Sequence, residues 1–361
     1  GFTSELFKIV DFEKTVVIAC QHILPTNLVM FNYLFAKGLR PESVFLIGKT
    51  YSTQVKAEKA FLEKGVYVHK YGYSSHESFD VQFVKALDDF LVCILKSVGG
   101  LSFDNIIVLD DGGELIKQIN AKKVFENVKV VTCEQTTSGY ENLVKINKNL
   151  RFPVINVARS KAKLDVESPI IAQAVIKILE KQLRSLEKKP KKILVVGAGA
   201  IGINIFEQLR EKFQVSLFDM LPYKSHFDGN LDQIISGYDV VIGSTGTTII
   251  SEKQFRFLKN GTVLASASSS DREFDSVKLR LLVKETNDPH FDVLTNGIYL
   301  LNSGFPINFN GTEVEKTSDI QLTRALMFSA ICLAKIKKYK NGLVELDKGI
   351  QRKIIDKYLE N

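Results

Sequence analysis

Ile193-Leu194-Val195-Val196-Gly197-Ala198-Gly199-Ala200-Ile201-Gly202 is an apolar run that ends in G-x-G-x-x-G, and a helix-like pattern follows it at Ile203, Ile205, Phe206 and Leu209. Each glycine answers a steric demand. Gly197 permits a tight turn out of a strand, Gly199 presents bare backbone to a pyrophosphate, and Gly202 lets the helix lie close on the sheet. The start of that helix adds unpaired N–H groups and the positive end of a dipole. A second apolar run, Val215-Ser216-Leu217-Phe218, stops at Asp219. That is about 20 residues after the glycines, where an acid grips a ribose diol and repels the extra phosphate of NADP. Strand, helix, strand and terminal acid in this order predict a Rossmann domain that binds NAD. The glycines alone would fit any tight turn in an α/β domain.

The 361 residues amount to two domains' worth of chain, and 45% hydrophobic with 25% charged content is ordinary for a globular protein. No apolar segment approaches the ~20 residues needed to span a bilayer, and none reads as a secretory leader, so no membrane partner is predicted. The four cysteines, Cys20, Cys93, Cys133 and Cys332, stand far apart with no C-x-x-C. They predict free thiols and a reducing, cytoplasmic setting. The five histidines lack metal-ligand spacing, so no metal is predicted. The net charge of +7 comes from scattered lysines and one dense run, Lys188-Lys189-Pro190-Lys191-Lys192. That run lies between a helical pattern and the strand of the glycine motif. It reads as a solvated linker and not as a polyanion site, so no nucleic-acid partner is predicted.

Around this centre, short apolar runs alternate with helical patterns: Thr15–Cys20, Val44–Gly48, Val66–Val68, Asn105–Leu109, Val128–Thr132 and Pro153–Val157 come before the glycine motif, and Asp239–Gly243 and Gly261–Ala265 after it. Such alternation predicts an α/β protein of two doubly wound parallel-sheet domains. Polar residues gather just past the ends of the early strands: His22, Asp111, Glu134 with Thr136 and Thr137, then Lys161 and Asp165. Helix caps and turns use the same residue types, but four such loops on the ligand-binding edge of a sheet point to a site. Asn296-Gly297 reads as a hairpin turn between Phe291–Leu294 and Ile298–Leu301. Long helical patterns run over Pro169–Leu186 and Val314–Ile336, and Val344–Tyr358 reads as an amphipathic surface helix.

Five motifs together resemble the S-adenosylhomocysteine hydrolase (adenosylhomocysteinase) family over nearly the whole chain, as a divergent member. Leu109–Leu115 is similar to the family's L-D-D-G-G-D-L, Glu134–Gly139 to E-E-T-T-T-G, and Lys161–Asp165 to K-S-K-F-D. Ser52-Thr53-Gln54 matches S-T-Q, and Ser244-Thr245-Gly246 matches in position after the cofactor fold. The resemblance implies a substrate-binding domain over 1–187 plus 313–342, an NAD-binding Rossmann domain over 188–305, and a C-terminal helix over 343–361. It implies an enzyme of one-carbon metabolism, a cytoplasmic homo-oligomer (dimer or tetramer) whose partner is a small-molecule nucleoside. In that family NAD oxidises the ribose 3′-OH, the resulting ketone acidifies C4′, and the 5′ thiol is expelled before water adds.

Carried over by motif, Lys161 and Asp165 would handle the 3′-OH and the C4′ proton, Asp111 and His22 would serve the 5′ side, and Gln135 and Thr26 would bind substrate. Gly197, Gly199, Gly202, Asp219, Thr136, Thr137, Ser138, Thr245 and Asn302 would hold NAD. Several positions depart from the family. Its second glutamate of E-E-T-T-T-G is Gln135, its asparagine after K-S-K-F-D is Val166, and the histidine of G-H-F-D-V-E-I-D is Ser269. Its late G-H-P-S histidine has no counterpart near Gly304–Phe309. The 3′-redox half is therefore kept and the leaving-group half rebuilt. These departures imply a homologue that oxidises a nucleoside such as S-adenosylhomocysteine, with hydrolysis of that compound in doubt. The alternative is a catalytically inactive NAD-binding homologue with a regulatory or interaction role.

Overall fold

The computed structural model of the chain describes residues 2–309 and 317–360. Its strands in chain order are β1 (Thr15–Gln21), β2 (Val44–Gly48), β3 (Tyr67–His69), β4 (Asn105–Asp110), β5 (Lys129–Glu134), β6 (Pro153–Asn156), β7 (Lys192–Val196), β8 (Gln214–Phe218), β9 (Val240–Gly243), β10 (Val263–Ser266), β11 (Val283–Asp288), β12 (Phe291–Leu294), β13 (Tyr299–Leu301) and β14 (Gly342–Glu345). The chain divides into two compact α/β units, one of Gly1–Gly72, Phe83–Glu167 and Lys316–Asn361, the other of Tyr73–Gln82 and Ser168–Glu315. The late helix, Thr317–Ile336, falls in the first unit, and the predicted start of that helix, at Val314, lies outside the described residues.

In the first unit the sheet order is β14-β6-β5-β4-β1-β2-β3, and every pairing is parallel. Val16, Val17, Ile18 and Ala19 of β1 and Ile106 to Leu109 of β4 are fully buried, because helices cover both faces of the sheet. That double coverage is why these strands carry unbroken apolar runs instead of alternation. The order reverses between β4 and β1, and a crevice opens at the carboxyl ends of strands at such a reversal. β1 ends at Gln21 and β4 at Asp110, so His22 and Asp111 begin the two loops that flank it.

One segment departs from the sequence reading. The helix expected from Val344 begins only at Lys348, capped by the Asp347 carboxylate, which accepts the Ile350 N–H at 3.1 Å. Gly342 to Glu345 form β14 instead, parallel to β6 in the register Gly342↔Pro153 to Glu345↔Asn156. The Asn147 side chain accepts the Leu343 N–H at 2.8 Å and helps fix this edge strand.

In the second unit the order is β11-β12-β13-β10-β9-β7-β8. The pairings from β13 to β8 are parallel, whereas β12 and β11 add antiparallel, so this sheet is mixed and not wholly parallel. The Asn296-Gly297 hairpin stands between β12 and β13, with Gly297 at φ +75°. β11 had no counterpart in the sequence reading. The helix Ser168–Ser185 belongs to this unit and shares its core with the helix Ala200–Leu209 through Ala172, Val175, Leu179, Ile205 and Leu209. Here the order reverses between β7 and β9, which puts the glycine motif after β7 beside Ser244 after β9. Among the described residues, no helix is long and apolar enough to cross a membrane.

Candidate functional site

The first unit gathers a buried polar cluster where its strand order reverses. His22, Lys49, Ser52, Asp111 and Gln135 each follow a strand end or lie in the loop after it, and all are buried. Asp111 is the hub. One carboxylate oxygen accepts from the Lys49 ammonium, and the other accepts from the Gln135 amide. His22 Nε2 stands 3.5 Å from that second oxygen, and His22 Nδ1 meets the Ser52 hydroxyl at 2.5 Å. The tautomer that satisfies both neighbours has the proton on Nε2, facing the carboxylate, and Nδ1 accepting from Ser52. The loops approach closely because glycines line them: a Cβ on Gly113 would come within 2.9 Å of the Gly139 Cα. Gly113 also sits at φ +78°, which disfavours a side chain on its own account.

Burial and charge set the protonation of this cluster. Burial drives the His22 pKa down to about 3, and the cations Lys49, Arg324 and Lys163 push in the same direction against Asp111. Burial works against the Asp111 carboxylate, but Lys49, His22 and their hydrogen bonds hold its pKa well below the usual carboxylate range. Lys49 is 4% exposed, yet Asp111 raises its pKa well above that of a free lysine. At neutral pH the cluster is therefore a fixed ion pair beside a neutral imidazole. Sequence reasoning did not single out Lys49; the available signal was a lone charge directly after the apolar run Val44–Gly48.

Beneath this cluster lies a buried carboxyl pair, Asp110 and Glu134, which stand opposite each other in the β4–β5 register. Asp110 accepts the backbone N–H groups of Asp111 at 2.8 Å and Ile116 at 2.9 Å. Glu134 Oε1 accepts from Gly112 N–H at 3.2 Å and from the Thr136 N–H and hydroxyl at 2.7 and 2.6 Å. Burial lifts the Asp110 pKa to about 7 and also raises that of Glu134, which the neighbouring Asp110 raises further. An acid with a folded pKa above its unfolded value of about 4 binds more protons when folded, so it lowers stability as pH rises from about 4 to about 7. Glu134→Gln keeps the Oε1 acceptor and removes one charge. Urea denaturation from pH 4 to pH 7 is expected to show a flatter profile for this variant, with a relative gain on the order of 1 kcal/mol or more by pH 7. Parallel profiles for the two proteins would rule out the raised pKa of Glu134 as a contribution to stability.

The other residues singled out from sequence separate. Lys161 and Asp165 stand 3.9 Å apart as a solvated i,i+4 pair, with side chains 82% and 56% exposed, and the structure does not bring them into the His22–Asp111 cluster. Lys163 is the lysine turned inward. Its ammonium donates to the Gln135 carbonyl at 2.9 Å and pairs with Glu167 at 3.1 Å. Thr26 is buried and lies 3.4 Å from the Arg324 guanidinium. Thr136 caps the helix Thr137–Val144 by accepting the Gly139 N–H, while Thr137 is exposed and Ser138 half-buried.

In the second unit the glycine turn has the geometry its letters require. Gly197 adopts φ +106°, open to glycine and strained for other residues. A Cβ on Gly202 would lie 1.9 Å from the Gly197 carbonyl oxygen and 2.4 Å from Ser244 Oγ. A Cβ on Gly199, at the helix N-cap, would meet nothing within 4 Å. The space over Gly199 is thus free for a phosphate, and the three glycines fit a dinucleotide pyrophosphate. Asp219 accepts the Ala198 N–H at 2.7 Å and the Leu221 N–H at 2.9 Å, which ties the end of β8 to the turn. Thr245 donates its hydroxyl to the buried Glu273 at 3.0 Å, and Glu273 also accepts Thr245 N–H at 2.6 Å and Gly246 N–H at 2.5 Å. Sequence reasoning did not assign Glu273 a role, although it shapes the loop after β9. Asn302 is spoken for locally: its amide donates to the carbonyls of Pro306 at 2.9 Å and Phe309 at 3.3 Å. Among the described residues no group of three or more His, Cys, Asp and Glu side chains is placed to hold a metal ion.

No known family profile matches the chain. An uncharacterized protein of Mycobacterium tuberculosis, in strains CDC 1551 and H37Rv, is 37% identical over 338 residues, spanning 90% of this chain. The chain covers 65% of the length of those relatives. The adenosylhomocysteinase of Acinetobacter baylyi is 23% identical over 292 residues, spanning 73% of this chain and 60% of that enzyme. Among solved structures, the dipicolinate synthase A chain of Bacillus subtilis aligns at TM-score 0.40 and 10% identity, over 91% of this chain and 97% of that one. The NAD-bound 3-phosphoglycerate dehydrogenase of Entamoeba histolytica aligns at TM-score 0.41 and 11% identity, over 90% and 100%. The chain is thus distantly similar in sequence to an adenosylhomocysteinase.

Proposed function

We propose that the second unit binds NAD at its glycine turn and that the first unit takes a nucleoside-like ligand whose 3′ hydroxyl is oxidised, as in adenosylhomocysteinase. The observation that carries the reading is the turn itself, with free space over Gly199, a closed gap under Gly202 and Asp219 tied to its backbone. NAD, when bound, supplies a reversible hydride acceptor for a secondary alcohol. Gly199 gives the phosphates access to backbone, and Asp219 offers its carboxylate to a ribose diol. Lys161 and Asp165, as a solvated pair, hold and pass the hydroxyl proton in this reading. A homo-oligomer, dimer or tetramer, in the cytoplasm belongs to the same proposal.

Hydrolysis of S-adenosylhomocysteine is not part of it, and one observation favours a second reading, a non-catalytic NAD-binding homologue. Lys49 and Gln135 occupy both oxygens of Asp111, and His22 is neutral well below pH 7. None of the titratable members, His22, Lys49 and Asp111, changes protonation near neutrality, which a general acid at a leaving group must do. The two readings separate in one cuvette. Protein loaded with NAD and mixed with adenosine or S-adenosylhomocysteine is expected to develop absorbance near 340 nm, and a thiol assay on the same sample is expected to stay blank. NAD-loaded protein that gives no band with either compound favours the second reading. A protein that takes up no NAD sinks both.

A further inference from the structure

In the second unit the loop after β9 lies against the glycine turn. Ser244 Oγ stands 3.0 Å from both the Val196 and the Gly197 carbonyl oxygens. In the order β9-β7-β8 this loop is on one side of the turn, and Asp219, after β8, is on the other. A dinucleotide with its first ribose at Asp219 and its pyrophosphate over Gly199 therefore carries its second ribose toward Ser244–Gly246. What the loop offers there is set from beneath. Glu273 is fully buried, and a Cβ on Gly243, the last residue of β9, would come within 2.6 Å of its Oε2. Its Oε1 accepts the N–H groups of Thr245 at 2.6 Å and Gly246 at 2.5 Å. These peptide bonds are trans, so each N–H points opposite to the C=O of the residue before it. Two N–H groups drawn to one buried carboxylate turn the Ser244 and Thr245 carbonyls outward. Neither carbonyl accepts a hydrogen bond from a described residue. The Thr245 hydroxyl is engaged within the loop, 3.0 Å from Glu273 Oε2 and accepting the Thr247 N–H at 3.0 Å. Over Gly246, at φ +73°, a Cβ would meet nothing within 4 Å, so the approach to the carbonyls is open.

We propose that Glu273 is a positioning residue that makes the loop after β9 an acceptor face, and that this face takes the hydroxyls of the cofactor's second ribose on the Ser244 and Thr245 carbonyls. The ribose hydroxyls donate, and Glu273 acts through the two peptide groups without touching the cofactor. The inference rests on NAD binding at the glycine turn, as proposed above, and adds which residue sets recognition of the half beyond the pyrophosphate.

The test is calorimetric titration of the full chain with ADP, which ends at the pyrophosphate, and with ADP-ribose, which adds the second ribose. The wild type is expected to bind ADP-ribose at least tenfold more tightly than ADP. In Glu273→Met, which keeps the length and removes the acceptor, that ratio is expected to fall below threefold while ADP affinity stays within threefold of wild type. Glu273→Gln keeps an oxygen for the two N–H groups and is expected to restore the ratio to at least fivefold. A merely structural role would weaken both ligands together. Because Glu273→Met strands two buried N–H groups and can fail to fold, a second measurement uses the wild type alone. Thr245 and Thr248 are both exposed, yet the amides of Thr245 and Gly246 are expected to exchange with solvent at least tenfold more slowly than that of Thr248. Fast exchange at both amides, a wild-type ratio near one, an unchanged ratio in Glu273→Met or a parallel loss of both ligands overturns the role of Glu273 and leaves the NAD reading standing. A wild type that binds neither ligand removes the NAD reading, and this inference with it.

Discussion

Gly202→Ala is expected to lower stability by about 3 kcal/mol and to abolish NAD binding. The added Cβ would sit 1.9 Å from the Gly197 carbonyl oxygen and 2.4 Å from Ser244 Oγ. The first of these is backbone in a turn at φ +106°, so it cannot swing aside as a side-chain tip can. The helix Ala200–Leu209 must lift from β7, and overpacking of this kind costs about 1–3 kcal/mol, sometimes more. Lifting the helix also moves its N-terminal N–H groups away from the place of a phosphate. Gly199→Ala is the informative companion. Its Cβ meets nothing within 4 Å, and φ −76° with ψ 179° suits alanine, so stability is expected to hold within about 0.5 kcal/mol. The methyl group nevertheless fills the space a pyrophosphate would use, and NAD affinity is expected to fall by at least about tenfold. Urea midpoints and NAD titrations on both variants check the pair. Normal NAD binding by Gly199→Ala would remove the turn as the cofactor site.

Lys49→Met is expected to be the most damaging single change in the first unit. It leaves Asp111 ionised, 3% exposed and without a charged partner, beside a neutral His22 and the Gln135 amide. Breaking a buried ion pair by removing one partner costs about 3–5 kcal/mol, because the remaining charge has lost its compensation. Lys49→Met/Asp111→Asn removes both charges and is expected to recover most of that loss. Thermal melting at pH 7 of the wild type, the two single variants and the double variant completes the cycle. Additive losses would mean that Lys49 and Asp111 do not interact, against the contact between them. Acid acts on the same pair. Asp111 has its folded pKa below the unfolded value, so the stability it contributes is present above about pH 4 and is lost as pH falls further.

Local chemistry alone determined much of this protein. The runs Thr15–Cys20, Asn105–Leu109 and Ile193–Val196 are too apolar for any place but a sheet covered on both faces, and all three form interior strands with parallel neighbours on both sides. The glycine turn was legible because each of its demands is local: a positive φ at Gly197, bare backbone at Gly199 and contact at Gly202. His22 and Asp111 were legible as members of one sheet edge, because the loops after parallel strands all leave on the same side; that they are neighbours there follows from the strand order.

What tertiary structure decided is what depends on distant partners. Gly342-Leu343-Val344-Glu345 is too short to show a period, and it became strand because β6 offered it a free edge. Lys161 and Asp165 have the spacing of a helical ion pair, and only packing shows that they are solvated while Lys163 turns inward. Lys49 reads as a surface lysine after a strand. Its burial follows from the approach of the loop after β4, which carries Asp111 from 62 residues away, and no local pattern encodes a contact at that separation.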